Sequence, residues 1–248
     1  MTSVDEQWKQ FFDEAYFRLY SGNPSQEQTA QEVEAIKNIL KLSSGASILD
    51  LACGFGRHSI LLARNYRVTG LDRSLPLLHQ AQIEARKQEA QVHWVQGNME
   101  HLDFQGDFDA ILCLYSSFGY QTDEDEDVQA LQQVQQALKP GGSFLWELVS
   151  LPRIVRTFTP SSVIRYSNGL VALEERHIDL FTSRNNTHLT ILDPKGTRRE
   201  YTLSQRMYTL TELLHMLARA GLSMQACYGN LHGDEVSLES RLVIVSQK

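Results

Sequence analysis

Apolar positions along this chain follow two periods, and the change from one to the other marks its organisation. Phe11, Phe12, Ala15, Tyr16 and Leu19 recur at helical spacing until SGNPS breaks the pattern at residues 21–25. A second stripe, Val33, Ile36, Ile39 and Leu40, predicts an amphipathic helix over residues 26–42. Ile48, Leu49 and Leu51 then read as a short buried strand, residues 53–57 as a glycine-broken turn, and residues 58–65 as a helix. Residues 66–71 give a second strand that ends in Asp72, completing a β-α-β unit. The alternation continues with a helix over 75–88, strands over 92–95 and 108–114, a helix over 124–138 stopped by KPGG, and a strand over 143–149. Such alternation predicts a mostly parallel sheet with helices on both faces.

Past Pro152 the period shortens to two. Residues 163–208 alternate polar and apolar positions between the turn signals SNG, RNN and DPKG, which predicts an antiparallel insertion. A helix over 211–220, ended by Gly221, and strands over 223–228 and 241–246 follow. The expected organisation is an N-terminal helical cap (1–42), a ligand-binding core (43–150), an antiparallel β insertion (151–209) and a C-terminal helix with the last strands completing the core (210–248). No internal repeat or low-complexity tract interrupts it.

Composition narrows the function. With 248 residues, 42% of them apolar, the chain can bury one sizeable α/β core with an elaboration. A formal net charge of −7 and the lack of any Lys/Arg cluster argue against a nucleic-acid partner. Cys53, Cys113 and Cys227 form no Cys-x-x-Cys pair and read as reduced, buried thiols. No apolar run near residue 1 is long enough for a signal or membrane helix, so a soluble cytoplasmic protein with no membrane partner is expected.

The candidate chemistry lies in ILDLACGFGRHSILLARNYRVTGLDRS, residues 48–74. Gly54 and Gly56 let backbone approach a ligand at the start of a helix whose free N–H groups favour a negative group. Asp72 stands where a carboxylate takes both hydroxyls of an adenosine ribose, roughly 20 residues beyond the glycines. Ser59 replaces the third glycine of a dinucleotide loop, and Asp50 would repel a pyrophosphate but welcome an ammonium or sulfonium. A ligand with adenosine at one end and a cationic amino acid at the other fits both acids.

LDLACGFGRHS, VTGLDRS, QGNMEHLDF, FDAILCLYSSFGY and LKPGGSFLWEL, in that order, resemble the motif series of class I S-adenosylmethionine-dependent methyltransferases, over residues 48–149. SSFGY and the ending HGDEVSLESRLVIVSQK are similar to a bacterial subgroup that methylates small molecules. The resemblance implies a Rossmann-like α/β fold of seven strands, with S-adenosylmethionine as cofactor and S-adenosylhomocysteine as product. It implies that Ala52, Gly54 and Gly56 pass the methionine part, with Asp50 near its amino group. Asp72 would hold the ribose, Arg73 would lie beside the adenine, and Asn98 and Met99 would flank the ring. Leu114 and Tyr115 would touch the methionine end, and an N-terminal aromatic, Tyr20, would lie close to the cofactor. LYSSFGY is not the Asn/Asp-Pro-Pro-aromatic tetrad of enzymes that methylate nucleic-acid amines, which leaves a small-molecule acceptor.

Tyr16, Ser117, Tyr120, Tyr166 and His177 are the expected pocket walls or lid, and no residue is assigned as catalytic base. Each has a plainer reading: Asp72 as a helix cap, Gly54 and Gly56 as a tight turn, Tyr115, Phe118 and Tyr120 as core aromatics, His177 as a solvated strand residue. The acid run at residues 123–127 opens a helix rather than binding a metal, and no histidine spacing marks a metal site. The acceptor atom, N, O or C, stays open, as do a cofactor-binding sensor without transfer and a macromolecular acceptor. The insertion could be a lid or could build a homodimer interface.

Overall fold

The structure is a computed structural model that describes residues 4–22 and 24–248. Three helices come first: α1 (Val4–Phe11), α2 (Glu14–Tyr20) and α3 (Gln26–Leu40). The alternating core follows as β1 (Ser47–Leu51), α4 (Arg57–Leu62), β2 (Arg67–Asp72), α5 (Leu75–Lys87), β3 (Val92–Gln96), β4 (Phe108–Cys113), α6 (Glu124–Ala137) and β5 (Leu138–Leu148). Next come α7 (Leu151–Arg156) and the insertion strands β6 (Ser161–Arg165), β7 (Val171–Asp179), β8 (Arg184–Leu192) and β9 (Arg198–Arg206). The chain ends with α8 (Leu210–Arg219), β10 (Ser223–Tyr228) and β11 (Leu242–Gln247).

Seven strands form one sheet in the order β10-β11-β5-β4-β1-β2-β3, parallel except for β11, which runs antiparallel to both neighbours. Strands such as β1 and β4 are buried almost throughout because both faces are covered. On one face α6 and α8 pack Leu131, Val134, Leu213 and Leu217 against Ile111, Phe144 and Trp146. On the other, α3 brings Val33 and Ile36 against Ile48, Leu112 and Val243. The α/β sheet expected from the alternation is the one observed, and so is the separate antiparallel sheet, β6-β7-β8-β9.

Two local expectations change. The N-terminal stripe is not one helix: the chain breaks at Asp13, whose N–H donates to Phe11 O at 2.8 Å and whose carboxylate accepts from the Ser74 hydroxyl. The break lets Phe11 face Tyr201 of the insertion at 5.5 Å while Phe17 turns to Phe55 at 5.4 Å. After β5, residues 151–156 form α7, capped by the Ser150 hydroxyl, which accepts from Arg153 N–H, with Pro152 in its first turn. No helix among the described residues is long and apolar enough to cross a membrane.

Candidate functional site

The sheet changes winding direction between β1 and β4: the chain passes outward to β2 and β3 on one side and to β5 on the other. In such sheets the crevice beyond the carboxyl ends of the strands is where ligands sit. A cavity of about 720 Å³ opens there, lined by the β1, β2 and β4 exits, the segment after β3, helices α1 and α2, and three insertion residues, Glu174, Leu189 and Leu203.

Its floor is the β1–α4 turn. Ala52 and Gly54 both take left-handed backbone, at φ +58° and +57°, and a side chain at Gly54 would meet nothing within 4 Å. That glycine therefore leaves room toward the cavity. Gly56 differs: at φ +75° it caps α4, and a Cβ there would press into the Trp94 ring, so its role is packing and it does not line the cavity. Asp72 at the end of β2 accepts from Gly54 N–H at 2.8 Å and Ser74 N–H at 2.9 Å. Burial pushes its carboxyl above the usual range against the pull of those two donors.

Asp50 does not reach the cavity. Its side chain is buried and accepts from the Ser59 hydroxyl at 2.5 Å, with burial raising its pKa despite His58, Ser59 and Arg57. The serine that replaces a third glycine thus anchors this acid. Arg73 lines the cavity, donating to Lys9 O at 3.0 Å and lying 5.0 Å from the Trp8 ring centre. Asn98 and Met99 line the wall after β3.

Arg57, which the motif reading passed over, opens α4 beside the cavity. Its Nη1 donates to Glu32 at 2.5 Å and Thr29 at 3.1 Å, while Nη2 is buried without a partner among the described residues. The same Glu32 carboxylate meets His58 Nε2 at 2.9 Å and accepts from the Tyr115 hydroxyl at 2.6 Å. Burial would raise Glu32, but His58, Tyr115 and Arg57 outweigh it and hold the group at about 2. A sequence signal existed: a cation at a helix N-terminus opposes the dipole and calls for an anionic partner.

The opposite wall is the loop after β4. Tyr115 and Ser116 are left-handed at φ +57° and +61°, uncommon for non-glycine residues and concentrated here beside the cavity. Glu147 holds them: Oε2 accepts from Tyr115 N–H at 3.1 Å and Oε1 from Arg241 Nε at 2.7 Å, while Arg241 also donates to the Ser116 hydroxyl at 3.0 Å. Further along, Ser117 and Tyr120 line the cavity, and Asp127 accepts from the Tyr208 hydroxyl at 2.6 Å.

A ladder of rings closes the roof. Tyr120 lies 5.3 Å from Trp8 and 5.1 Å from Phe12, Phe12 is 5.3 Å from Tyr16, and Tyr16 is 4.8 Å from Tyr20. Burial raises the pKa of Tyr16, Tyr20 and Tyr120, so their hydroxyls stay protonated. Tyr16, Ser117, Tyr120 and Tyr20 thus share one cavity with Ala52, Gly54, Asp72 and Tyr115. Besides Asp50 and Gly56, three expected residues stand elsewhere. Leu114 is 5% exposed and belongs to the core below, Tyr166 sits behind Tyr20 at 6.4 Å, and His177 is exposed on β7 beside Asp179, off the cavity.

Comparison with known proteins agrees with this geometry. Residues 48–142 match the family model described as a methyltransferase domain. YqeM of Bacillus subtilis (strain 168), itself only provisionally named a methyltransferase, is 27% identical, covering 96% of each chain. Glycine N-methyltransferase of Mus musculus is 28% identical over 86% of this chain and 78% of its own. Among solved structures, S-adenosylmethionine-bound CalS10 from Micromonospora echinaspora, an amino pentose methyltransferase, superposes with a TM-score of 0.67 at 23% identity, covering 94% of this chain and 95% of its own. A sheet wound in this order and a ligand crevice at its switch point, with a match to a methyltransferase domain over the strands that build it, give the chain the Rossmann-like class I methyltransferase fold, with a methyltransferase domain over residues 48–142.

Proposed function

We propose that this methyltransferase acts on a small molecule and delivers the methyl group to a nitrogen. The cavity carries the reading. Its volume, about 720 Å³, lies within the roughly 300–1,000 Å³ of small-molecule sites, and its roof of rings and insertion strands leaves a cofactor and a compact acceptor inside. The glycine and amino pentose acceptors named for two similar proteins are both small amines.

The residues present suit S-adenosylmethionine. Asp72, buried with lone pairs beyond those used by two N–H groups, would take the ribose hydroxyls; the open backbone at Ala52 and Gly54 would admit the methionine part. Arg57 Nη2, the buried donor without a partner among the described residues, would meet its carboxylate. Asn98 and Met99 would flank the adenine. The cofactor supplies a methyl group already activated on sulfonium sulfur. The chain's task is therefore alignment and exclusion of water, which the ring ladder and the insertion perform. A neutral amine needs no tyrosinate base, in keeping with tyrosine hydroxyls that stay protonated.

Calorimetric titration with S-adenosylmethionine and S-adenosylhomocysteine, with NAD as control, tests the cofactor half. Both adenosyl ligands should bind and NAD should not; Asp72→Ala should weaken binding by at least about 100-fold, the loss of two charge-assisted hydrogen bonds. Binding of NAD alone, or undiminished binding by the variant, would refute the assignment. S-adenosylhomocysteine release with amines rather than phenols tests the acceptor half.

A further inference from the structure

The insertion presents one ionisable group to the cavity among the described residues, Glu174 on β7. It lies on the same face of β7 as Ala172, which packs against α1 and α2, and its register partner Leu189 also lines the cavity. Its side chain is 14% exposed. Oε2 is already engaged: it accepts from the Ser162 hydroxyl at 2.8 Å and from Arg176, whose guanidinium also donates to Thr159 O at 3.3 Å. Oε1 takes no hydrogen bond among the described residues. The same cavity is lined by Tyr16, Tyr20 and Phe12, rings whose faces favour a cation.

The other cavity carboxylates differ. Asp72 is committed to the β1–α4 turn and Glu100 to Gln121, Glu126 is exposed at the start of α6, and Asp127 accepts from Tyr208 through Oδ2 while its other oxygen is buried without a partner among the described residues. Those four come from the core sheet, its exits and the first turn of α6, whereas Glu174 comes from the insertion. Arg176 and Ser162 fix the rotamer of Glu174, and a carboxylate so fixed, with one oxygen free in a cavity lined by aromatic rings, is built to receive an ammonium.

We propose that Glu174 is the specificity-determining residue of this enzyme: its free oxygen receives the positively charged amine of the acceptor and holds that nitrogen at the roof of the cavity. This rests on the small-amine reading above and names the residue that imposes it. An ammonium acceptor sheds one proton to solvent before its lone pair forms the N–C bond, and the C–S bond breaks with its electrons left on sulfur. One proton per methyl transferred therefore appears in the medium.

The test compares wild type with Glu174→Gln, which keeps the size of the group and an oxygen for Ser162. Cofactor binding by calorimetry is measured first; then S-adenosylhomocysteine release is followed with ethanolamine, putrescine, glucosamine and glycine, and with catechol as a neutral acceptor. Unaltered cofactor affinity in the variant, a KM for the amine used best by wild type raised at least about 30-fold, and kcat changed much less are expected, as for removal of one partner of a buried charge pair. An unmoved amine KM with a lowered melting temperature would reduce Glu174 to a strut for Arg176 and overturn the proposal. So would turnover of catechol and of no amine, or of nothing in the panel, by a wild type that binds the cofactor. Failure of wild type to bind the cofactor would overturn the methyltransferase reading instead.

Discussion

Asp127 makes the molecule sensitive to pH in an unusual direction. It stands in the first turn of α6, is 1% exposed, accepts from Tyr208, and has one oxygen without a partner among the described residues. Burial, only partly opposed by Tyr208 and Arg184, raises its pKa from 3.8 to about 7. An aspartate raised in the folded state stabilises most when protonated: its contribution is fully present below pH 3.8, declines as pH rises, and is gone above about pH 7. At about 1.4 kcal/mol per tenfold, the whole swing is about 4 kcal/mol, of which roughly 2.5 kcal/mol falls between pH 8 and pH 5. Asp127→Asn keeps an acceptor for Tyr208 and removes the ionisation. Urea unfolding of both proteins at pH 8 and pH 5 isolates the group, because all other titrations cancel in the difference. The variant should be the more stable at pH 8, by up to about 4 kcal/mol, and its advantage should shrink by roughly 2.5 kcal/mol at pH 5. A difference equal at the two pH values would refute the assignment of a strained, ionised Asp127.

Two further outcomes follow from neighbouring parts of the site. Gly56→Ala should destabilise by about 3 kcal/mol, combining left-handed backbone strain with overpacking against Trp94; thermal unfolding should show Trp94→Leu recovering the packing part but not the backbone part. Glu32→Gln should cost about 2 kcal/mol at pH 7, because Arg57 and His58 lose their carboxylate. With its folded pKa lowered to about 2 from 4.5, Glu32 contributes above pH 4.5 and loses its contribution as pH falls through 2, so the gap between the two proteins should close on acidification.

The elements legible in the sequence were those whose pattern is local. β1 and β4 announced themselves because strands covered on both faces are mostly apolar, α3 because its apolar stripe recurs at helical spacing, and α8 because Gly221 ends it. What escaped depends on distant partners. The break at Asp13 answers to Ser74, 61 residues away, and no periodicity records it. His177 was singled out by chemical type, but facing is set by register, and a one-residue step along β7 separates the cavity face of Glu174 and Arg176 from the face of His177. Asp50 and Asp72 looked like equivalent site acids; only Asp72 lies at the cavity, because Ser59 holds Asp50 beneath the turn.

The same accounting explains where the fold stores strain. Non-glycine left-handed residues at the site, Ala52, Tyr115 and Ser116, follow the ends of β1 and β4, the two adjacent strands between which the winding reverses. Each costs of order 1–3 kcal/mol, and Tyr115 and Ser116 are pinned by groups beyond their own loop. Glu147, 6% exposed in its side chain, and Arg241 come from β5 and the approach to β11, and they grip Tyr115 and Ser116 from behind. Glu32 on α3 grips the Tyr115 hydroxyl from the opposite side and Arg57 with it. The C-terminal strands, which carry no residue of the cavity, thus fix the backbone of its wall, and the N-terminal helices supply its roof. A crevice assembled from both ends of the chain can form only after the whole sheet has closed, which ties the geometry needed for transfer to complete folding of the domain.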